Sequence, residues 1–155
     1  MKKALYVMAL LMCVLVMLSC ASNASKASTP LTTQEEKDNA FKSVYAKHYK
    51  NLILDDAKTY TVKSGDTLAA ITREHYGSDK GLSFPVIMLA SSEVVLDPDR
   101  INPGMELIIP DLQKNLDNAK ARASIKGVID DVASIEDRRK RPADAKALRD
   151  LAASL

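Results

Sequence analysis

Apolar residues change their spacing several times along the chain, and each change predicts an element. From Phe41 through Val44, Tyr45, His48, Tyr49, Leu52 and Ile53 they recur every three or four positions, as on an amphipathic helix. Thr33, with Glu36 three residues on, predicts a capping box at its start, and Asp55-Asp56 marks its expected end. Tyr60 and Val62 then alternate with Thr61 and Lys63, the period of a strand. Ser64-Gly65 breaks that strand. Leu68, Ile71, Thr72 and His75 resume helical spacing, and Gly77 closes the short helix as a residue suited to a left-handed C-cap. Ser83 is the expected cap of a second short helix, with Pro85 in its first turn and Ile87, Ala90 and Val94 on its buried face. Asp97-Pro98-Asp99 and Asn102-Pro103-Gly104 are turn chemistry. Glu106 to Ile109 is a second strand, stopped by Pro110.

Beyond Leu112 the pattern predicts one long helix. Its stripe is Leu116, Ala119, Ala123, Ile125, Val128, Ile129, Val132 and Ile135, with Gly127 as a weak point. Arg138-Arg139-Lys140-Arg141 ends it, and Pro142 starts a last helix with Leu148, Leu151 and Leu155 on one face. Cations suit a helix C-terminus, so the basic run is expected to be solvated; anionic headgroups or wall polymer are the other reading. The fold class is α+β and α-rich: a strand-helix-helix-strand unit flanked by amphipathic helices.

The front of the chain has a different pattern. Met1-Lys2-Lys3 precedes an uncharged apolar run from Ala4 to Leu18, closed by Ser19-Cys20. The run is shorter than the ~20 residues of a membrane span and has the flanks of a secretory signal. A small residue just before a cysteine at this place resembles the lipobox of bacterial lipoproteins. In that family the cysteine is diacylated and becomes the new N-terminus. The resemblance implies lipidation at Cys20, and two acyl chains give stable anchoring. The other cysteine, Cys13, lies inside the run and leaves with the signal. Ala21 to Thr33, rich in Ser, Ala and Thr, is the expected flexible tether.

Charge adds little. The chain carries 22 Lys+Arg and 20 Asp+Glu. Without Lys2 and Lys3 the two signs balance, which offers no basic footprint for nucleic acid. The expected organisation is a signal peptide over 1–19, a tether over 20–33, an N-terminal helix over 34–57, the strand-helix-helix-strand domain over 58–111, and a helical region over 112–155.

That central domain resembles the LysM family. The matching residues are Tyr60-Thr61-Val62, Ser64-Gly65-Asp66-Thr67-Leu68, Ile71, Tyr76-Gly77, Phe84, Ile87, Ala90, Pro98-Asp99, Ile101, Pro103-Gly104, Leu107 and Ile109-Pro110. They occur in family order, in the longer form with a loop between the helices. The resemblance implies a β-α-α-β fold and binding of peptidoglycan or a related N-acetylglucosamine glycan. It places the glycan groove between Gly65, Asp66, Thr67 and Leu68 on one side and Ser91, Val94 and Val95 on the other. Ser91 stands where the family often has Asn, and Phe84 where it often has Trp.

No catalytic constellation is visible. His48 and His75 are isolated, no cluster has metal-ligand spacing, and adjacent acidic pairs such as Asp130-Asp131 diverge on a helix. The expectation is a protein that is not an enzyme, with no cofactor and no metal. It would sit in the bacterial cell envelope, mainly periplasmic, lipid-anchored to the inner or outer membrane. Two alternatives stay open. One is an envelope adaptor in which LysM is structural and the flanking helices bind a protein partner, the C-terminal ones being partly free for it. The other is a cation-binding LysM module.

Overall fold

The computed structural model describes residues 29–155. Cys13, Cys20 and the apolar run lie outside the described residues. Helix α1, Gln34–His48, begins at the expected capping box. Thr33 Oγ1 accepts from Glu36 N at 3.2 Å, and Glu36 Oε2 accepts from Thr33 N at 2.9 Å and Thr32 N at 2.8 Å. Phe41, Val44, Tyr45 and His48 form its buried face. The helix ends at His48 rather than near residue 57. A 3-10 turn, Tyr49–Asn51, follows, and Leu52 is extended at ψ 134°. The cause is a residue 62 positions away. The fully buried Asn115 donates to Ile53 O at 2.8 Å and accepts from Ile53 N at 2.8 Å, so it takes both backbone groups that a longer helix would need.

Strands β1, Lys58–Thr61, and β2, Glu106–Ile109, pair antiparallel with Tyr60 opposite Leu107. Leu107 and Ile109 face inward at period two. Helix α2, Leu68–Tyr76, buries Leu68, Ile71 and Thr72 and is closed by Gly77 at φ +119°. Helix α3, Phe84–Ala90, differs from the amphipathic expectation. Every residue from Pro85 to Ala90 is buried. It touches α2 and β2 within the LysM-like unit and α5 beyond it, so no face is left for water. Each large apolar side chain fully buried this way contributes about 1.5–3 kcal/mol. Ser83 makes no capping bond, because a 3-10 turn, Gly81–Ser83, leads directly into the helix.

The expected single helix from Leu112 is two: α4, Leu112–Asp117, and α5, Ala119–Arg138. Asn118, in extended backbone, caps the second by accepting from Lys120 N at 3.0 Å and Ala121 N at 3.1 Å. Helix α6, Pro142–Ser154, folds back against α5 after Lys140 turns the chain at φ +61°.

Three further expectations are corrected. The α5 stripe Ile125, Val128, Ile129, Val132 and Ile135 is at most 3% exposed, packed inside this chain rather than free for a partner. Gly127 is no weak point: a Cβ there would overlap the His48 imidazole, so the helix and α1 approach closely only because it is glycine. Tether residues near its end are also held. Leu31 is buried, its N–H donates to Arg138 O at 3.1 Å, and Thr29 O accepts from Arg138 Nε at 3.0 Å.

The basic run is only in part a solvated helix end: Lys140 is exposed, but Arg139 turns inward. The Arg139 side chain is 4% exposed. It pairs with Asp97 at 3.2 Å, Asp99 at 2.5 Å and Glu136 at 3.0 Å, and its guanidinium lies over the Phe41 ring at 5.8 Å. Arg141 reaches Asp99 at 2.5 Å. The network therefore ties the loop after α3 to the α5–α6 corner and to α1.

Candidate functional site

The break after β1 is a turn from Lys63 to Asp66, closed by Asp66 N donating to Lys63 O at 3.2 Å. Gly65 sits at its third position with φ +89°, the left-handed value such a turn requires. A Cβ on Gly65 would meet nothing within 4 Å, so the glycine is needed for its angle and its backbone faces open space.

Asp66 is half-buried, with its carboxylate engaged by its own turn. Its carboxylate accepts from Lys63 N and from Tyr60 Oη, each at 2.8 Å. The backbone amide of Lys63 and the phenol hold that carboxyl below its usual range. The same hydrogen bond pushes the Tyr60 phenol up to about 12. Thr67 caps α2, its Oγ1 accepting from Ala70 N at 3.2 Å, and it is exposed. Leu68 is 2% exposed and belongs to the core. On this side of the expected groove, Gly65 and Thr67 are exposed and Asp66 is half-buried.

On the other side, Val94 is 43% exposed. Ser91 and Val95 are not at the surface, which corrects their expected place in the groove wall. Ser91 is 2% exposed, and its hydroxyl accepts from Ile108 N at 2.9 Å, anchoring β2 to the end of α3. Val95 is fully buried, and its carbonyl accepts from Tyr45 Oη at 2.8 Å. Both residues act through the fold.

Thr67 and Leu68 open instead onto a cleft of about 360 Å³ whose walls were not legible in the sequence. Phe84 and Pro98 of the central unit line it, and Glu136, Arg141, Asp144 and Leu148 close it from α5, α6 and the corner between them. Val94 is not among its lining residues. The partner residues lie about seventy positions away, so no local spacing signals them. The basic run and Asp97-Pro98-Asp99 were visible as motifs, but their pairing was not. His75, half-buried, stacks edge-on against Tyr60 at 5.3 Å, with no hydrogen-bond partner on Nε2. Among the described residues, no group of three or more His, Cys, Asp or Glu side chains is placed to hold a metal ion, and no helix is long and apolar enough to cross a membrane.

Comparison with known proteins gives this geometry its family. Residues 60–110 match the LysM domain. Over 65 residues, 42% of this chain, the sequence is 38% identical to each of two esterases, from two strains of Mycobacterium tuberculosis, of which the match covers 13%. Over 52 residues, 34% of this chain, it is 44% identical to the Potassium binding protein Kbp of Escherichia coli O6:H1, again 34% of that protein. The matched stretch thus spans between about an eighth and a third of these relatives. No solved structure matches the chain. Strand β2, the two short helices and the Gly65 turn lie within the matched residues, and β1 begins two residues before them. Residues 60–110 of this chain are a LysM domain, a module whose family binds peptidoglycan and other N-acetylglucosamine glycans.

Proposed function

We propose that this chain is a non-catalytic envelope lipoprotein that binds peptidoglycan through its single LysM domain and is held at a membrane by acylated Cys20. The observation that carries the reading is the LysM match over residues 60–110. The open backbone at Gly65, the exposed Thr67 hydroxyl and the exposed Val94 side chain are compatible with it, since an N-acetyl group needs backbone amides and an apolar flank. A lone shallow site binds weakly. Anchoring near the wall raises the effective concentration and supplies what repeats would otherwise provide.

The adaptor alternative loses one support, the α5 stripe, which is buried within the chain. Cation binding keeps one support, the similarity to a protein named for potassium binding. A melting temperature raised by potassium chloride over equal sodium chloride would favour it.

The decisive measurement is sedimentation of the detergent-solubilised full chain with purified peptidoglycan. Wild type is expected to co-sediment and Val94→Asp to lose most binding while keeping its helical circular dichroism. A folded Val94→Asp that sediments like wild type removes Val94 from the site, and a wild type left in the supernatant overturns the reading. In the same preparation, Cys20→Ala is expected to stop partitioning into detergent; unchanged partitioning would remove the anchor from the reading.

A further inference from the structure

The cleft beside Thr67 has a wall that no LysM residue supplies. Glu136 lines it from the last turn of α5 and is 3% exposed. Its Oε1 accepts from Arg139 Nη1 at 3.0 Å. Its Oε2 accepts no hydrogen bond. The nearest cation to that oxygen, Arg141 Nη1, stands 3.6 Å away. Arg141 is drawn off because its other terminal nitrogen is held by Asp99 at 2.5 Å. A buried carboxylate oxygen without a protein donor is unfavourable, and such groups are rare in native proteins.

The charge around it points the same way. Asp79, Asp99 and Asp144 join Glu136 along the lining with Arg73 and Arg141. Lys80 holds Asp79 and Arg139 holds Asp99, which leaves Asp144, in the first turn of α6, as the lining carboxylate without an ion pair among the described residues. The apolar part of the lining includes Phe84 and the exposed Leu82, with the buried Leu148 behind them. The volume of about 360 Å³ falls within the range of small-molecule sites.

We propose that this cleft is a subsite for a primary ammonium group, carried on a ligand whose apolar flank rests on Phe84 and Leu82. Glu136 Oε2 is closed to solvent beneath Arg141, so the half-exposed Arg141 side chain gives way, keeping its bond to Asp99, for the ammonium to donate to that oxygen; Asp144 is the second carboxylate on the lining. An alkylammonium is a compact charge with three rotatable donors, so it serves two separate oxygens better than a planar guanidinium does. Burial pushes the Glu136 carboxyl up, and a ligand cation offsets that desolvation. The source of the ammonium rests on the peptidoglycan reading. In that polymer, primary amines belong to the diamino acid of the stem peptide or to a glucosamine that has lost its acetyl group. Both present the same chemistry to the cleft.

Titration calorimetry on the detergent-solubilised full chain tests this with two pairs of probes. One pair is a disaccharide-peptide with a free diamino-acid amine and the same compound acetylated there. The other is a glucosamine trimer and an N-acetylglucosamine trimer. The free amine is expected to bind at least about tenfold tighter in one pair, a step of ~1.4 kcal/mol, and that pair identifies the source. Asp144→Asn, an exposed position, is expected to reduce the preference about fivefold, the value of a good exposed ion pair. Glu136→Gln is expected to abolish it, and circular dichroism verifies that this variant is folded. Equal affinities within both pairs, or a preference untouched in Asp144→Asn, overturn the proposal. Sedimentation separates this from the broader reading: wild type that pellets with peptidoglycan but shows no amine preference loses only the subsite. Wild type that prefers amines but does not pellet keeps the subsite and loses peptidoglycan as its source.

Discussion

At the scale of single residues, two carboxylates show how a side chain that looks available for a ligand is used by the fold. Asp66 was a groove residue by resemblance, yet both its hydrogen bonds run to the turn and to Tyr60. Glu36 closes the capping box, and backbone amides of Thr33 and Thr32 hold its carboxyl at about 2 against an ordinary 4.5. A carboxyl depressed in the folded state stabilises it above the unfolded value and loses that contribution as pH falls. The Glu36 contribution is therefore complete above pH 4.5 and gone near pH 2. Melting temperatures of wild type and Glu36→Ala are expected to differ at pH 7 and to converge toward pH 2. A gap that stays constant across that range would show that the side chain acts through something other than its charge. The capping box was legible because its spacing is local; the use of Asp66 by its own turn was not, because the sequence does not say which way a turn carboxylate points.

At the scale of elements, the α1–α5 contact rests on the absence of a side chain. Helix propensity alone favours Ala over Gly at position 127 by ~1 kcal/mol. The overlap of a Cβ with the His48 imidazole works against it, and overpacking a close contact costs about 1–3 kcal/mol. His48 has little freedom to retreat, since it is 8% exposed and its Nε2 lies 2.7 Å from Asp131 Oδ2. The steric term wins, so Gly127→Ala is expected to lower the urea midpoint despite its better propensity. A raised midpoint would show that the imidazole moves aside at no cost. The same weighing explains two boundary errors. Asn115 and Asn118 are polar residues inside apolar spacing, and periodicity passes over them. Only their backbone partners, Ile53 in one case and the next helical turn in the other, make them breaks.

At the scale of the whole molecule, the LysM domain and the C-terminal helices are expected to unfold as one unit. Helix α3 is buried on every side only when α5 is present, and Arg139 links Asp97 and Asp99 of the LysM loop to Glu136 of α5. Removing one partner of such a buried cluster leaves uncompensated charge and costs about 3–5 kcal/mol. Arg139→Ala is expected to lower stability by that amount in a single transition, with amides of Ile125–Ile135 losing hydrogen-exchange protection together with those of β2. Loss confined to the helices, with β2 unchanged, would mean two independent units.

What the sequence determined by itself was set by short-range physics, although short-range features such as the Asn118 cap were not all legible. The period-two and helical spacings, the capping box at Thr33, the turn at Gly65, the Pro142 start and the order of the LysM elements all lie within a few residues of their cause. The resemblance added the glycan-binding reading and a groove, of which Gly65, Thr67 and Val94 are at the surface. Only the tertiary structure decided which faces meet. Burying an apolar stripe needs a partner surface but does not name one, so the sequence left α5 open to another chain while the fold packs it against α1, α3 and α6. The pairing of Arg139 with Asp97 and the placing of Glu136 opposite Thr67 depend on that packing. Coulomb attraction acts through space between groups far apart in the chain, and spacing along the sequence carries no trace of it.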